Sequence, residues 1–382
     1  MIFDASTCSL RKMAAAFAMA GSCALSIFPA HANSFTEQFI DPEDNMFDVS
    51  AFLARGGFVP MPVIITEPAV DKGIGIVGQF VQGDPTTKNV RRTMVGAFIT
   101  GNNSFGGGAM QTGAFRDGRV KYTVGIGGAD LHLPVYPFGS SRSIEYNNVT
   151  GGVFGHLRMQ VGETPWYVGP RFRYQASTIS LDAEGRLGGI LEEFAVEKRY
   201  SALGLMGTYD TRDNSVTPLQ GIDAVMRYDL FDGAIGSDAD FDLGMVALHG
   251  FQKLGDNGWS IGAMTRYDWS NGDTPFNMAP QISLRGISWG RYAGERASST
   301  EIQLRKDFDD RWAGVAFAGY GTSVAGNSRI FDDSGPVHTY GVGVRYKIAR
   351  KLGIDVGIDI ARGPEETIWM LQFGHAWMRT ME

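Results

Sequence analysis

The sequence predicts an all-β fold: a 16-stranded antiparallel transmembrane β-barrel with a short N-terminal amphipathic helix. Three observations predict it. From Lys72 onward apolar and polar residues alternate with period two, as strands with one lipid face and one wet face require. Beyond the N-terminus no window of about 18 uninterrupted apolar residues occurs, which sets helical membrane spans aside. The connectors follow a short–long rhythm, which is how outer-membrane barrels put turns on one side and loops on the other.

One barrel can use all 382 residues. A formal charge of −7 leaves no basic stripe to neutralise phosphates, so no nucleic-acid partner is expected. Long 3.6-period segments are almost missing beyond residue 60, which argues against a soluble α/β protein.

The N-terminus reads as a secretory signal over 1–32. Arg11 and Lys12 supply the positive region, Met13 to Pro29 the apolar region, and Ala30-His31-Ala32 a small-x-small cleavage site. Cys8 and Cys23 both fall inside this leader. Stability is then expected from barrel closure rather than from disulfides.

Residues 33–71 read as a periplasmic segment. Within Asp44 to Ala54, Met46, Val49, Phe52 and Leu53 fall towards one side of a helix closed by Gly56-Gly57. Such a helix can pack under a barrel mouth or lie on the inner leaflet surface. The prolines from Val59-Pro60-Met61-Pro62 to Pro68 read as an extended linker.

The barrel is expected over 72–382. Strands are predicted near 73–82, 92–101, 104–116, 119–127, 129–137, 145–161, 166–181, 201–212, 220–231, 240–254, 258–270, 298–308, 312–322, 338–348, 352–361 and 367–377. Leu352, Ile354, Val356, Ile358 and Ile360 alternate with Gly353, Asp355, Gly357 and Asp359. Ile222, Ala224, Met226 and Tyr228 alternate with Asp223, Arg227 and Asp229. Inward acids of this kind need water or opposing arginines. Short turns are predicted at Asn102-Asn103, Gly128, Gly162 to Pro165, Gly255 to Asn257 and Asp309 to Arg311, and long loops over 182–200, 271–297 and 323–337. In hydrocarbon an open edge leaves backbone groups unsatisfied, so the first strand is expected to pair with the last. The predicted first strand carries Gly73, Gly75 and Gly78, and glycine weakens a strand, so the seam reads as the weakest joint.

Enzyme signatures are lacking: no H-E-x-x-H, no G-x-S-x-G and no P-loop occurs. His31 goes with the leader, and His132, His156, His249, His338 and His375 show no ligand spacing. Gly73, Gly75 and Gly78 mimic a nucleotide-binding G-x-G-x-x-G, but no helix follows. No catalysis, cofactor or metal is expected.

The stretch 282–308 carries the most information. It contains Leu284-Arg285-Gly286-Ile287, then Gly290-Arg291-Tyr292, then Glu301 on the next predicted strand. Here the sequence resembles the outer-membrane assembly-factor superfamily, the BamA/TamA type or bacterial surface antigen. In that family the sixth outer loop carries an aliphatic-Arg-Gly-aromatic tetrad and folds back into the lumen. Ile287 departs from the aromatic. Tyr209 to Asn214, with Pro218 and Gly221, resembles the family's turn between strands 8 and 9. Phe317 to Gly321 resembles its strand 13, where many relatives place an Asp at the position of Gly319. Glu301 is the expected substitute partner for Arg285. A 27-residue connection with Arg285 near its middle cannot sit in lipid; it either tucks into the lumen, where the guanidinium needs a carboxylate, or stays a solvated outer loop.

The resemblance covers roughly 59–377 and implies an outer-membrane location and a role in protein or lipid insertion or translocation. The family's periplasmic POTRA repeats have no room before the first predicted strand, so a stand-alone barrel is expected. Its partners would be outer-membrane lipids and a client protein or lipid, with the oligomeric state open. A passive porin-like channel and a structural or adhesive surface protein are the alternatives.

Overall fold

A strand in hydrocarbon must satisfy every backbone group on its neighbours, so strands there organise into one continuous antiparallel sheet. The computed structural model describes residues 39–51, 57–82, 91–181, 196–328 and 330–380. Sixteen strands form a single sheet in strict sequence order. They are β1 (Gly57–Ile65), β2 (Gly73–Gln82), β3 (Arg91–Thr100), β4 (Phe105–Phe115), β5 (Val120–Val135), β6 (Ile144–Gln160), β7 (Trp166–Leu181) and β8 (Val196–Asp210). The second half is β9 (Gly221–Phe231), β10 (Phe241–Lys253), β11 (Trp259–Gly272), β12 (Arg296–Asp307), β13 (Trp312–Val324), β14 (Val337–Ala349), β15 (Ile354–Arg362) and β16 (Thr367–Phe373).

The distribution of side chains is inside-out relative to a soluble protein. Ile74, Leu205, Val342 and Ile360 project outward, between 53% and 67% exposed. Asp355 and Asp359 are fully buried, and Arg345 is only 3% exposed. An exterior apolar belt around a charged interior is stable when lipid lies outside and polar partners lie within. The interior acids find those partners: Asp359 accepts from Arg345 at 2.6 and 3.0 Å, and Asp355 pairs with Arg305.

The count of sixteen holds, but two of its members differ from the sequence reading. Residues 57–65, read as a linker, form β1, registered residue by residue from Gly57↔Val81 to Ile65↔Gly73. An edge strand tolerates proline because one row of its N–H groups has no partner to lose. The predicted strands 119–127 and 129–137 are one strand, β5, and Gly128 is no turn but pairs with Gly107 and Gly151. The barrel therefore starts at 57, and Gly73, Gly75 and Gly78 lie on β2 between two paired neighbours rather than at the seam. Asn102-Asn103 consequently joins β3 to β4 and lies at the loop end. The turns at 161–165, 254–258 and 308–311 connect even to odd strands and lie at the turn end. β16 ends at Phe373, and residues 374–380 leave the wall.

The predicted N-terminal helix is not what residues 39–49 form. Ile40 bridges Phe47, and the Asp41 and Met46 backbones close a tight turn with Asn45 in the left-handed region at φ 56°. The carboxylates of Asp41, Asp44 and Asp48 accept from the backbone N–H groups of Glu43, Met46 and Ser50. Such local bonds compete with helix formation. Helical backbone begins only at Ser50, so Met46 and Val49 precede it, and Phe52 and Leu53 lie outside the described residues, as does the predicted leader.

Candidate functional site

Loop six, residues 273–295 between β11 and β12, brings Arg285 against buried acids of β12 and β15. Arg285 is 7% exposed. Its Nε and Nη2 donate to Glu301 Oε1 at 2.9 and 2.6 Å, and its Nη1 donates to Asp359 Oδ2 at 2.8 Å. The guanidinium carbon lies 3.4 Å from the ring centroid of Phe317. A planar cation clamped by two carboxylates and stacked on an aromatic face uses every recognition mode arginine has. Among the sequence-named residues, Arg285 and Glu301 are thus in direct contact. Asp359, read only as an inward acid, joins them, and it carries Arg345 with it.

The loop's seat is shaped by residues without side chains. Gly286 has φ +91°, and a Cβ there would meet Ala361 Cβ and the Gly363 backbone at 3.2 Å. Only glycine has both the conformation and the clearance. At Gly319 a Cβ would meet Thr339 Oγ1 at 2.6 Å and Leu284 Cδ2 at 3.0 Å. The space beside Gly319 is taken by the Leu284 side chain. Leu284 packs with Phe251, Met264, Ile282 and Trp377, and Ile287 and Tyr292 lie against that cluster.

The C-terminal segment supplies a residue that no motif or periodicity pointed to. After Gly374 the chain folds inward, and Trp377 donates its indole N–H to Glu301 Oε1 at 2.6 Å. His375 bonds Gln303 at 3.0 Å. Burial, and then the charges of Arg285 and Arg345, hold His375 well below the usual imidazole range. Glu301 is therefore shared by loop six and the chain's end.

Chain segments reach into the barrel at both ends. At the loop end lies loop six. At the turn end the 211–220 connection, which joins β8 to β9, reaches across the opening. Asn214 Nδ2 donates to Leu352 O at 2.9 Å, Thr217 Oγ1 accepts from Asp355 N at 3.3 Å, and Val216 O accepts from His375 N at 2.8 Å.

The seam lies between β1 and β16. Every consecutive strand pair from β1 to β16 is laddered, but no ladder joins β1 to β16 among the described residues. Pro60 and Pro62 are two residues apart, so their missing N–H groups fall on the same edge of β1. Proline in a sheet belongs with that side facing away from the ladder. β16, on the other side, is a short strand of 7 residues.

Polar contacts stitch the two rims instead. At the loop end, Glu67 between β1 and β2 accepts from Trp289 N at 3.0 Å and Ser288 Oγ at 3.4 Å. Glu365 between β15 and β16 accepts from Arg291 Nη2 at 2.9 Å and from the Tyr292 hydroxyl. Gly290, with φ +77°, donates to Gln281 Oε1 at 2.6 Å and sets the bend between these contacts. Residues 288–292 of loop six thus hold both sides of the seam.

At the turn end the N-terminal segment has a similar position. Arg311 Nη2, Nε and Nη1 contact Asp41, Asp44 and Asp48 at 2.8, 2.5 and 2.6 Å, and Arg350 contacts Asp41 at 2.8 Å and Glu43. Val49 N bonds Ile348 O at 2.8 Å, and Lys351 N bonds Ser50 Oγ at 3.1 Å. Only residues 52–56 separate this anchor, at the β14–β15 turn, from β1 across the seam. Among the described residues no group of three or more His, Cys, Asp or Glu is arranged to hold a metal ion.

Comparison with known proteins gives a likeness of fold. No protein-family profile matches the chain, and no curated protein matches it by sequence. Among solved structures, BamA from Haemophilus ducreyi lacking POTRA domains 1–3 is similar with a TM-score of 0.58 and 13% identity, over 84% of this chain and 70% of that one. CdiB from Escherichia coli has a TM-score of 0.56 at 10% identity, over 82% of this chain and 61% of that one. CdiB from Acinetobacter baumannii has 0.55 at 11%, over 83% and 58%. The chain matches less than two thirds of either CdiB chain. The barrel is therefore of the BamA and CdiB type at the level of fold.

Proposed function

We propose that this protein is an outer-membrane barrel of the assembly or translocation kind, and that it acts through the β1–β16 seam without catalysing a chemical step. The observation that carries this reading is that, among the described residues, no ladder joins β1 to β16 in an otherwise fully paired sheet. An unpaired edge in hydrocarbon costs several kcal/mol per orphaned backbone group. That edge is a template onto which another strand can pair, or around which lipid must thin. The stitches at the two rims are the elements that would hold the seam shut and release it. The fold shared with BamA and CdiB supports the same reading.

A porin-like channel is the second reading, with loop six and the 211–220 connection narrowing the lumen on the β10–β16 side. A surface-adhesion role has no specific observation in its favour.

The test is a reversible tether. Ser288→Cys with Glu67→Cys replaces a contact at the loop-end rim by a disulfide. The full chain is placed in liposomes, and two probes are followed: membrane insertion of a urea-unfolded eight-stranded barrel, and flip of a fluorescent phospholipid. Oxidation should slow whichever process uses the seam, and reductant should restore it. Equal rates in both states, or large steady solute-sized openings in planar bilayers, would overturn the proposal.

A further inference from the structure

A second constellation lies in the lumen away from loop six, in a cavity of about 660 Å³ bounded by β1 to β9. One wall is bare. Gly96 pairs with Gly108, Gly108 with Gly127, and Gly127 with Gly152, so four adjacent strands present glycine in one register row. All four line the cavity. A methyl at Gly108 or Gly152 would meet a neighbouring backbone oxygen at 2.7 or 2.4 Å, so the row also lets the wall curve. Glycine runs inside strands mark places where another body approaches the backbone closely.

The row leads to a basic wall on β7 and β9. Arg171, Arg173 and Arg227 all line the cavity. Arg171 Nε lies 3.0 Å from Asp229 Oδ1, reaching over Gly204, but neither atom makes an aligned hydrogen bond. Among the described residues the Arg173 side chain bonds only a neutral group, the Gln175 amide oxygen at 2.5 Å. Among the described residues the Arg227 side chain makes no hydrogen bond or ion pair, and the charges of Asp268 and then Asp229 act on it at longer range. Asp229 is the carboxylate within electrostatic reach of all three. The next acid, Asp268, is held by Arg266 at 2.5 and 2.8 Å. Three guanidiniums thus share Asp229, and the further carboxylate whose charge reaches Arg227, Asp268, is already paired with Arg266. His156, 8% exposed and also lining the cavity, has an Nε2 with no hydrogen-bond partner among the described residues.

We propose that this cavity is a binding site for a phosphate-class oxyanion. Arg173 and Arg227 hold the oxyanion, Arg171 and His156 border it, and the body of the molecule lies along the bare glycine row. Uncompensated guanidiniums in a partly enclosed space seek an anion, and arginine's planar fork matches phosphate oxygens two at a time. Val63 and Ile65 of β1 also line the cavity, so it is bounded by the strand that borders the seam. The site does not depend on whether the seam opens, because it is defined by the resting barrel.

The oxyanion could be carried by a free solute or by a lipid headgroup, and two arms separate them. In the first, inorganic phosphate is titrated into the full chain in an uncharged detergent and bound phosphate is read by ³¹P NMR. In the second, the chain is exchanged into bicelles containing phosphatidylglycerol, and retained lipid is read by native mass spectrometry. Saturable binding in either arm is expected, and the arm that shows it names the source. Arg173→Gln and Arg227→Gln should each weaken it about tenfold or more, because a charge-assisted bond is lost. Arg199→Gln, on an exposed loop-end pair, should leave it unchanged. Heat-modifiable gel mobility verifies folding of each variant. No saturable binding of either probe to the unmodified chain overturns the proposal, as does binding that Arg173→Gln and Arg227→Gln leave intact.

Discussion

Trp377 and Arg285 both donate to a single oxygen of Glu301, each at 2.6 Å. One buried carboxylate therefore ties the tip of loop six and the end of the chain to strand β12. With Asp359 it balances Arg285, and Arg345 balances Asp359 in turn.

Arg285→Ala is expected to destabilise the barrel by about 3–5 kcal/mol, because it leaves two acids buried without their shared partner. The readout is the temperature at which heat-modifiable mobility is lost. A double-mutant cycle with Glu301→Ala should give a coupling of about 1 kcal/mol or more. Additive losses would mean that the contact carries no energy.

Gly319→Ala is expected to displace loop six, at a cost of about 1–3 kcal/mol for overpacking. The added methyl would press on Leu284 and on Thr339 Oγ1. Combining it with Leu284→Ala should recover part of the loss through the space vacated. Protease cleavage within 273–295 is the measure, and an unprotected loop in the double variant equal to that in Gly319→Ala would refute the shared seat.

The N-terminal anchor should release in acid. Bonds from the Glu43 backbone and then Arg350 hold Asp41 below its ordinary value of 3.8, and Arg311 first of all does so for Asp44. Burial pushes Asp48 up, but bonds from Ser50, the Arg350 backbone and Arg311 outweigh it and bring it down to about 2. Depressed carboxylates contribute stability above their unfolded value and lose it as pH falls through the folded one. Hydrogen-exchange protection of 39–51 should therefore hold at neutral pH and fall between about 4 and 2. Arg311→Gln should lower protection already at neutral pH.

The loop-end rim should have the opposite pH sign. Burial, then the charges of Glu67 and Glu365, push Glu366 above its ordinary value of 4.5. A raised carboxylate contributes stability that is complete below the unfolded value and is lost as pH rises through the folded one. Protection of 363–366 should decline as pH rises from the mildly acidic range, and Glu366→Gln should flatten that profile. A flat profile in the unmodified chain would contradict it.

The parts legible in the sequence were those set by local pattern. The alternation over Thr339 to Ile348 and Leu352 to Ile360 reports two phases on two faces, and both strands lie where that pattern places them. β1 was hidden because Pro60 and Pro62 read as linker, a rule that fails on an edge. β5 was split because Gly128 reads as a turn, whereas here it pairs on both sides within a bare stretch of wall. Arg285 and Glu301 were recoverable from a motif and its spacing. Asp359 and Trp377 were not recognised as their partners, since those contacts span 74 and 76 residues and leave no periodic trace. The acids at 41, 44 and 48 mimic the spacing of a helix face, but their partner is Arg311, more than 260 residues away.

That last separation bears on how the chain is completed. The residues that bind Arg311 and Arg350 precede the whole barrel, while their partners belong to turns formed near its end. Contacts so distant in sequence require loop closure over nearly the full chain before they return any free energy. The N-terminal anchor can therefore dock only after strands twelve to fifteen have been laid down. Pulse proteolysis during refolding should find 39–51 protected last. Docking of that short acidic segment would then serve as a checkpoint, marking a barrel whose final strands are in place and distinguishing it from one abandoned half-built.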